Sequence, residues 1–396
     1  MLNCIAQKSS LFKLKTVFAS IPVTKRSFGT GTNEKFRILF FGTDNFASNH
    51  LKALIDEKER PGSNIESIGL VCPPDKRTGR NLSTITPSQT KGIAEAHQLN
   101  IFHTPPGVKT LSEWQLPLNS DPATATTGYD LGVVVSFGYF IPPHIISLFQ
   151  HGAINVHPSL LPKYRGAAPI QHTILSGDTK TGVTIQELDA YEFDAGRILS
   201  QQSLVLDTAP VYSRLKEKLT QVGCELLVDT VRHFKERKLH AQTQDISQAT
   251  KAPKVEKYWS ELDYHHMSAW QAVQLHRAIG EQYPLRTAFS VRTKKVTKNV
   301  VVQLLDLCLI NTSQSRKEPG TFVWDEASKS LHISFGDGSV MACSRLKMEN
   351  RGAMTASDFK NGYGLEGHFV NSAENIDEKL RKRRGRLLAN MKPFDV

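Results

Sequence analysis

The chain has 396 residues, of which 39% are hydrophobic and 22% charged, with a formal net charge of +11. That mix is typical of soluble globular proteins, and the length exceeds one ordinary domain, so two domains with tails are expected. No apolar run reaches the roughly 18–20 residues of a membrane helix. Five scattered cysteines without a C-x-x-C pair exclude a disulfide framework or a cysteine–zinc site and suit a reducing compartment.

The first 33 residues contain Lys8, Lys13, Lys15, Lys25 and Arg26, several serines, and no acid before Glu34. Basic, serine-bearing and acid-free is the composition of an organellar import peptide. Residues 1–33 are therefore read as a mitochondrial transit peptide, cut near Arg26-Ser27-Phe28 and leading to the matrix. Charge is unevenly placed beyond it. Residues 36–250 carry 20 basic and 21 acidic side chains, whereas residues 251–396 carry 23 and 16. A neutral middle suits small-molecule chemistry, and a basic end suits a polyanionic partner.

The run Phe36 to Phe41 reads as a strand that turns at Gly42-Thr43 into a helix from about Phe46. Ser67 to Val71 is the next strand. Thr86-Pro87 reads as a cap followed by proline at the first helical position. Asn100 to Phe102 is a short strand, and the apolar run Leu131 to Val135 suits a strand covered on both faces. His144 to Phe149 is expected to be helical, Ala153 to Val156 extended, and Pro169 to Leu175 a helix closed by Gly177. Strands alternating with helices imply a doubly wound, mainly parallel α/β sheet of Rossmann-like type. Pro210 to Leu239 reads as one long helix with an apolar stripe of Leu215, Leu219, Leu226, Leu227 and Val231. The first folded half is thus 36–239, the span expected to be the catalytic domain if the chain is an enzyme.

Asn155 and His157 stand where an apolar strand ends. Side chains two apart on a strand share a face, and ligands of open α/β sheets bind beyond the carboxyl ends of the strands. An isolated N-x-H is more commonly a loop tie than a site, so the pair needs further support. There is no G-x-x-x-x-G-K-[ST], no H-E-x-x-H, and no G-x-G-x-x-G at Phe41 to Asp44, so neither a Walker nucleotide site, a zincin metal site nor an NAD fingerprint is expected. Ser159 lacks a G-x-S-x-G elbow and is read as a loop residue. His172 and Asp178 are read as structural. Arg165-Gly166 either contacts substrate or forms a surface ion pair.

Residues 240–255 are polar and read as a linker. Beyond it, a helix at Ser268 to Ile279 and short strands at 287–291, 300–310, 321–324, 331–335 and 340–346 suggest a small β-barrel of oligonucleotide-binding (OB-like) type over 256–370. Arg292, Lys294, Lys295 and Lys298 cluster between strands. Residues 371–396 are read as a basic tail whose KLRKRRGR run, Lys379 to Arg386, is either a solvated helix or an extra RNA-attracting patch.

The stretch Asn155-x-His157-x-Ser159-Leu160-Leu161-Pro162-x-x-Arg165-Gly166, with Asp194-x-Gly196 following, resembles the signature of the folate-dependent formyltransferases. Gly166 to Gln171, Thr181 to Ile185, Phe41 to Thr43, Asp75 to Arg80 and Ala252 to Val255 resemble the branch of that family whose amine substrate is methionyl-tRNA. The resemblance covers roughly Phe36 to Asp358. It implies an enzyme that moves a formyl group from 10-formyltetrahydrofolate to the amine of methionyl-tRNA, with no metal and no nucleotide cofactor.

It also implies roles. Asn155 is expected to donate to the oxyanion of the tetrahedral species. His157 is expected to donate or relay a proton, and Asp194 to orient His157 and accept the proton of the amine. Ser159, Leu160, Leu161 and Pro162 are expected at the folate pocket, and Arg80, Lys254, Lys294, Lys295 and Lys298 at the tRNA. The chain departs from the pattern after Arg80, where relatives continue with lysines, in an apparent extra residue in 190–193, and at Asp44. The alternatives are a family member acting on a purine-pathway amine or an amino sugar, and an RNA-binding protein on an inactive scaffold. The basic second half and the intact Asn155, His157 and Asp194 argue against them.

Overall fold

The computed structural model describes residues 35–117, 128–292, 297–310, 315–372 and 377–391. Lys294 and Lys295 and the proposed transit peptide lie outside the described residues.

The first half is built on seven strands. They are β1 (Phe36–Gly42), β2 (Ile65–Cys72), β5 (Asn100–His103), β6 (Leu131–Val135), β7 (Ala153–His157), β8 (Lys180–Glu187) and β9 (Ile198–Val205). Between β2 and β5 a small hairpin of β3 (Lys76–Thr78) and β4 (Thr84–Thr86) stands apart as its own two-stranded sheet. The large sheet runs β5-β2-β1-β6-β7-β8-β9. The pairs from β5 to β7 are parallel, and the last two, β7 with β8 and β8 with β9, are antiparallel.

Alternate residues of β1 serve two cores, as a strand covered on both faces requires. Phe36, Ile38 and Phe40 face a core shared with α1 (Asn45–Glu59) and α5 (Tyr212–Arg232), while Leu39 and Phe41 face one closed by Ile145 and Phe149. Ile145 belongs to α3 (Pro143–Ile146), which is followed by turns rather than by helix to Phe149. The chain leaves β1 toward β2 on one side and resumes at β6 on the other, so strand order reverses between β1 and β6.

Two expected boundaries differ. Helix α2 (Gln89–Ala96) is capped by Ser88, whose hydroxyl accepts from Lys91 N, because Thr86 is already paired with Lys76 in the hairpin. The expected long helix breaks at His233 into α5 and α6 (Phe234–Leu239).

The second half begins with α7 (Ala269–Ile279). Ser268 and Gln271 cap it reciprocally, side chain to backbone in both directions. Nine strands follow among the described residues. They are β10 (Leu285–Arg292), β11 (Thr297–Leu304), β12 (Leu307–Ile310), β13 (Thr321–Asp325), β14 (Ser330–Ser334), β15 (Val340–Cys343), β16 (Arg345–Met348), β17 (Ala353–Thr355) and β18 (Glu366–Val370), with α8 (Ala356–Tyr363) before the last. The order is β12-β15-β14-β13-β18-β10-β11-β16-β17, antiparallel throughout. Two strand pairs bend across this sheet. β11 passes into β12, and β15 into β16, within one or two residues, yet each pair joins opposite ends of the order. The sheet therefore curls on itself in the OB-like manner.

The two halves share one continuous apolar core, and Gln274 of α7 donates to the carbonyl of Ile174 at 3.0 Å. Ile174 lies on α4 (Pro169–Leu175). Two stretches read from sequence as passive are packed. In the linker, Ala252 and Val255 are buried. The tail forms α9 (Glu378–Ala389), whose Arg384 and Leu388 are buried, as is Met391 just beyond it.

Candidate active site

Three segments meet at the carboxyl end of β7. Asn155 pairs with Gln186 and His157 with Thr184 across the antiparallel β7–β8 ladder, which puts all four on neighbouring positions of the sheet. The turn from β8 to β9 carries Asp194, whose φ of +56° bends the chain back over the ladder. Gly196 makes that return possible, since a Cβ there would collide with the carbonyl oxygen of Glu187.

Asp194 is the hub. Its Oδ1 accepts from Asn155 Nδ2 at 3.3 Å and from Gln186 Nε2 at 3.0 Å, and its Oδ2 accepts the backbone N–H of Gly166 at 2.8 Å. His157 Nδ1 lies 3.4 Å from the same Oδ1. The other ring nitrogen, Nε2, donates to the carbonyl of Tyr164 at 2.9 Å. With Nε2 holding a hydrogen, contact between Nδ1 and Oδ1 is favourable only when a proton lies between them. His157 is buried, so its exchange with a ligand runs through Asp194, while Asn155 is half exposed and its amide keeps a second N–H for a ligand.

The loop after β7 is tied from three sides. Ser159 is fully buried and donates to Lys163 O at 2.6 Å, Thr184 Oγ1 donates to Ser159 O at 2.7 Å, and Gln201 donates to Leu161 O at 3.0 Å. Leu161 is buried, while Leu160 and Pro162 are half exposed and face outward most among the four expected folate residues. Tyr164 and Gly166 hold left-handed backbone, at φ +62° and +121°. A Cβ on Gly166 would meet Ala252 O at 2.7 Å, so glycine lets the loop lie against the linker. There Arg165 N donates to Thr250 O at 2.8 Å and Ala252 N donates to Arg165 O at 2.7 Å. Burial holds the Tyr164 phenol well above its ordinary value; it stays protonated and donates to Asp178 at 2.8 Å. His172 Nε2 donates to Pro253 O at 3.1 Å, and its pKa is lowered by burial.

Sequence reasoning missed two glutamines. Gln186 is visible only once β8 is known to pair with β7. Gln244, in the supposed linker, is buried and donates to Gln186 Oε1, Asp194 O and Gly196 O at 3.2, 2.9 and 2.8 Å, while accepting from Arg165 at 2.7 Å. Arg165 thus serves the interior of the site and also reaches Glu192 at 3.4 Å. The expected RNA contacts lie elsewhere. Arg80 starts a short turn (Arg80–Leu82) inside the β3–β4 hairpin, Lys298 is exposed on β11, and Lys254 is exposed in a cleft behind the loop.

Residues 36–231 match the formyl transferase model, and residues 254–364 match the formyl transferase C-terminal domain. This chain belongs to the formyl transferase family. It is 32% identical over 348 residues to the mitochondrial methionyl-tRNA formyltransferase of Rattus norvegicus, covering 86% of this chain and 81% of the relative. To the methionyl-tRNA formyltransferase of Synechococcus it is 34% identical over 333 residues, covering 82% and 95%. An N-formyltransferase of Helicobacter canadensis, solved with folinic acid and dTDP-3-aminofucose, shares the fold at 15% identity with a TM-score of 0.52, over 78% of this chain and 98% of that one.

In this formyltransferase the matched segments supply the whole polar cluster except Gln244, which falls between them. Among the described residues no three His, Cys, Asp or Glu side chains converge as a metal site requires. The cluster instead offers an amide donor beside a carboxylate whose oxygen lies 3.4 Å from an imidazole nitrogen. That set suits acyl transfer to an amine, which needs an oxyanion donor and a proton acceptor.

Proposed function

We propose that the enzyme transfers the formyl group of 10-formyltetrahydrofolate to the amino group of methionyl-tRNA in the mitochondrial matrix. The observation that carries the chemistry is the meeting of Asn155 and His157 on Asp194 at the carboxyl end of β7. Support for the amine substrate comes from relatives of both mitochondrial and bacterial origin that bear the methionyl-tRNA name, and from the basic second half. Support for the matrix comes from the mitochondrial relatives and the acid-free first 33 residues.

The amine nitrogen attacks the formyl carbon on N10, and the carbonyl oxygen becomes an oxyanion. The unspent N–H of Asn155 donates to that oxygen. As the nitrogen turns cationic, Asp194 takes its proton, with His157 sharing the charge through Nδ1. The same proton is returned to N10 as the C–N10 bond breaks, leaving tetrahydrofolate and formylmethionyl-tRNA. Leu160 and Pro162 border the folate side. No covalent enzyme intermediate is needed, because a neutral amine is already a nucleophile.

The test is incubation of the purified protein with 10-formyltetrahydrofolate and one of three amines: methionyl-tRNA, a dTDP-amino sugar, or a purine-pathway amine. Formyl-methionine released from the RNA, with no product from the other two, is the expected result. A formylated sugar in place of formyl-methionine removes the reading.

A further inference from the structure

Helix α9 lies beyond the stretch matched by the C-terminal family model, which ends at residue 364. It carries six Lys/Arg against one acid within twelve residues, EKLRKRRGRLLA. Such a segment repels itself, since Lys379 with Arg383 and Lys382 with Arg386 are like charges one turn apart. It is nonetheless docked. Leu380, Arg384, Leu387 and Leu388 recur at helical spacing and turn inward, with Met391 beyond them. Arg384 is 2% exposed and its guanidinium donates to the carbonyl of Glu261 and packs on Met267 Sδ, while Leu388 O accepts from Gln271 at 2.9 Å.

Docking aims the other face at a cleft of about 560 Å³ between α9, the linker and α4. Arg383 and Arg386 of α9 and Lys251 and Lys254 of the linker all line it, and Glu256 is the sole acid on the lining. All four cations are exposed, and among the described residues none has an ion-pair partner. Lys382, by contrast, is paired with Glu378 at 2.8 Å. The lining includes Tyr164, whose carbonyl accepts from His157, and Thr250, whose carbonyl accepts from Arg165 N. The cleft therefore runs up to the back of the catalytic loop.

We infer that α9 is an added phosphate-binding wall, and that the cleft it forms with Lys251 and Lys254 holds the sugar-phosphate backbone of the tRNA near its aminoacylated end. This rests on the proposed amine substrate. Four cations lining one groove, without ion-pair partners among the described residues, fit a polyanionic strand, and the groove's contact with the loop after β7 fits the strand that ends in the reacting amine.

The test is the full chain with Arg383→Gln and Arg386→Gln together, measured for methionyl-tRNA affinity against salt and for the KM of formylation. Each lost phosphate contact flattens the slope of log K against log salt by about 0.7–0.9, so the double variant should lose about 1.4–1.8 and bind roughly tenfold more weakly at physiological salt. The double Lys variant should restore both, and Lys382→Gln, whose charge is already paired, should move them far less. An unchanged slope in the Gln variant, with wild-type protein formylating methionyl-tRNA normally, overturns the inference and leaves the proposed reaction standing. So does a loss confined to binding of anionic phosphatidylserine vesicles. Wild-type protein that neither binds nor formylates methionyl-tRNA defeats the proposed reaction itself.

Discussion

Asp194 collects three N–H donors and one imidazole on two oxygens, and no isosteric replacement can do the same. Asparagine at this position turns one acceptor into a donor that faces other donors. Asp194→Asn is expected to lower turnover by about 10²–10⁴ with the fold retained, as for loss of a general base. Asn155→Ala should lower it by about 10²–10³ through the missing oxyanion donor. Single-turnover rates with circular dichroism as the folding control decide both; near wild-type rates in folded Asn155→Ala protein would remove its assigned role. Gly166→Ala adds a Cβ against Ala252 O and displaces the N–H that holds Asp194, so a loss of about 10² is expected from misplacement alone.

Two buried ionisable groups away from the site are expected to contribute to the acid limb of stability. His50 on α1 bonds Phe46 O through Nδ1, its Nε2 has no partner, and burial lowers its pKa to about 4. As pH falls from 6.5 toward 4 the unfolded chain binds the proton first, so stability falls with pH by up to about 3 kcal/mol. Glu57, gripped by Arg232 and Arg60, has its pKa held down to about 2, so its contribution is present above about pH 4.5 and fades as pH drops toward 2. Urea midpoints of wild type and His50→Gln from about pH 7 to pH 4.5 check the first step. Parallel curves for the two proteins would show that His50 does not titrate as described.

At the scale of elements, the segment 240–255 packs as part of the candidate site. It adds a parallel bridge from Lys251 to Arg165, an antiparallel one from Gln242 to Ile198, and the side chain of Gln244 beneath Asp194. Gln244→Ala leaves the Asp194 and Gly196 carbonyls and the Gln186 amide oxygen short of a donor. Each unsatisfied buried group costs about 1–3 kcal/mol. Turnover should fall even with saturating tRNA, because the Asp194 turn is loosened; unchanged kcat with lowered stability would confine Gln244 to a structural role. The same latch bears on truncation. A catalytic half ending near Lys251 lacks Ala252, which accepts from Ala168 N and donates to Arg165 O. It should be impaired in the transfer step as well as in RNA binding.

For the whole molecule, charge and core divide the labour. The neutral sheet domain holds Asn155, His157 and Asp194, and the basic curled-sheet domain is joined to it by a continuous core rather than by a loose tether. That union lets α9 and the linker form one cleft with the catalytic loop. Residues 1–33, proposed as an import peptide, lie outside the described residues. Fused to a neutral reporter they should carry it into mitochondria, and microscopy showing a cytosolic reporter would withdraw the matrix assignment.

The parallel sheet was legible because its central strands carry apolar runs, Ile38 to Phe41, Ile68 to Val71 and Leu131 to Val135, and Pro169 to Leu175 was legible because proline and a closing glycine mark its ends. Asn155, His157 and Asp194 were legible because a long motif around a strand end is specific, and period-two geometry alone puts the first two on one face. What sequence could not settle depended on pairing between distant segments. Gln186 joins the site through the register of β8 on β7, and Gln244 through a linker whose polar composition looks solvated until its partners are known. Arg384 is a cation in a run of cations, and only docking distinguishes the one that is buried from those that face the cleft. Local pattern determines which elements form, because propensity and periodicity act over a few residues. Which polar side chain ends buried, and against what, is decided by contacts that span about 30 to more than 100 residues of chain, where no local pattern reaches.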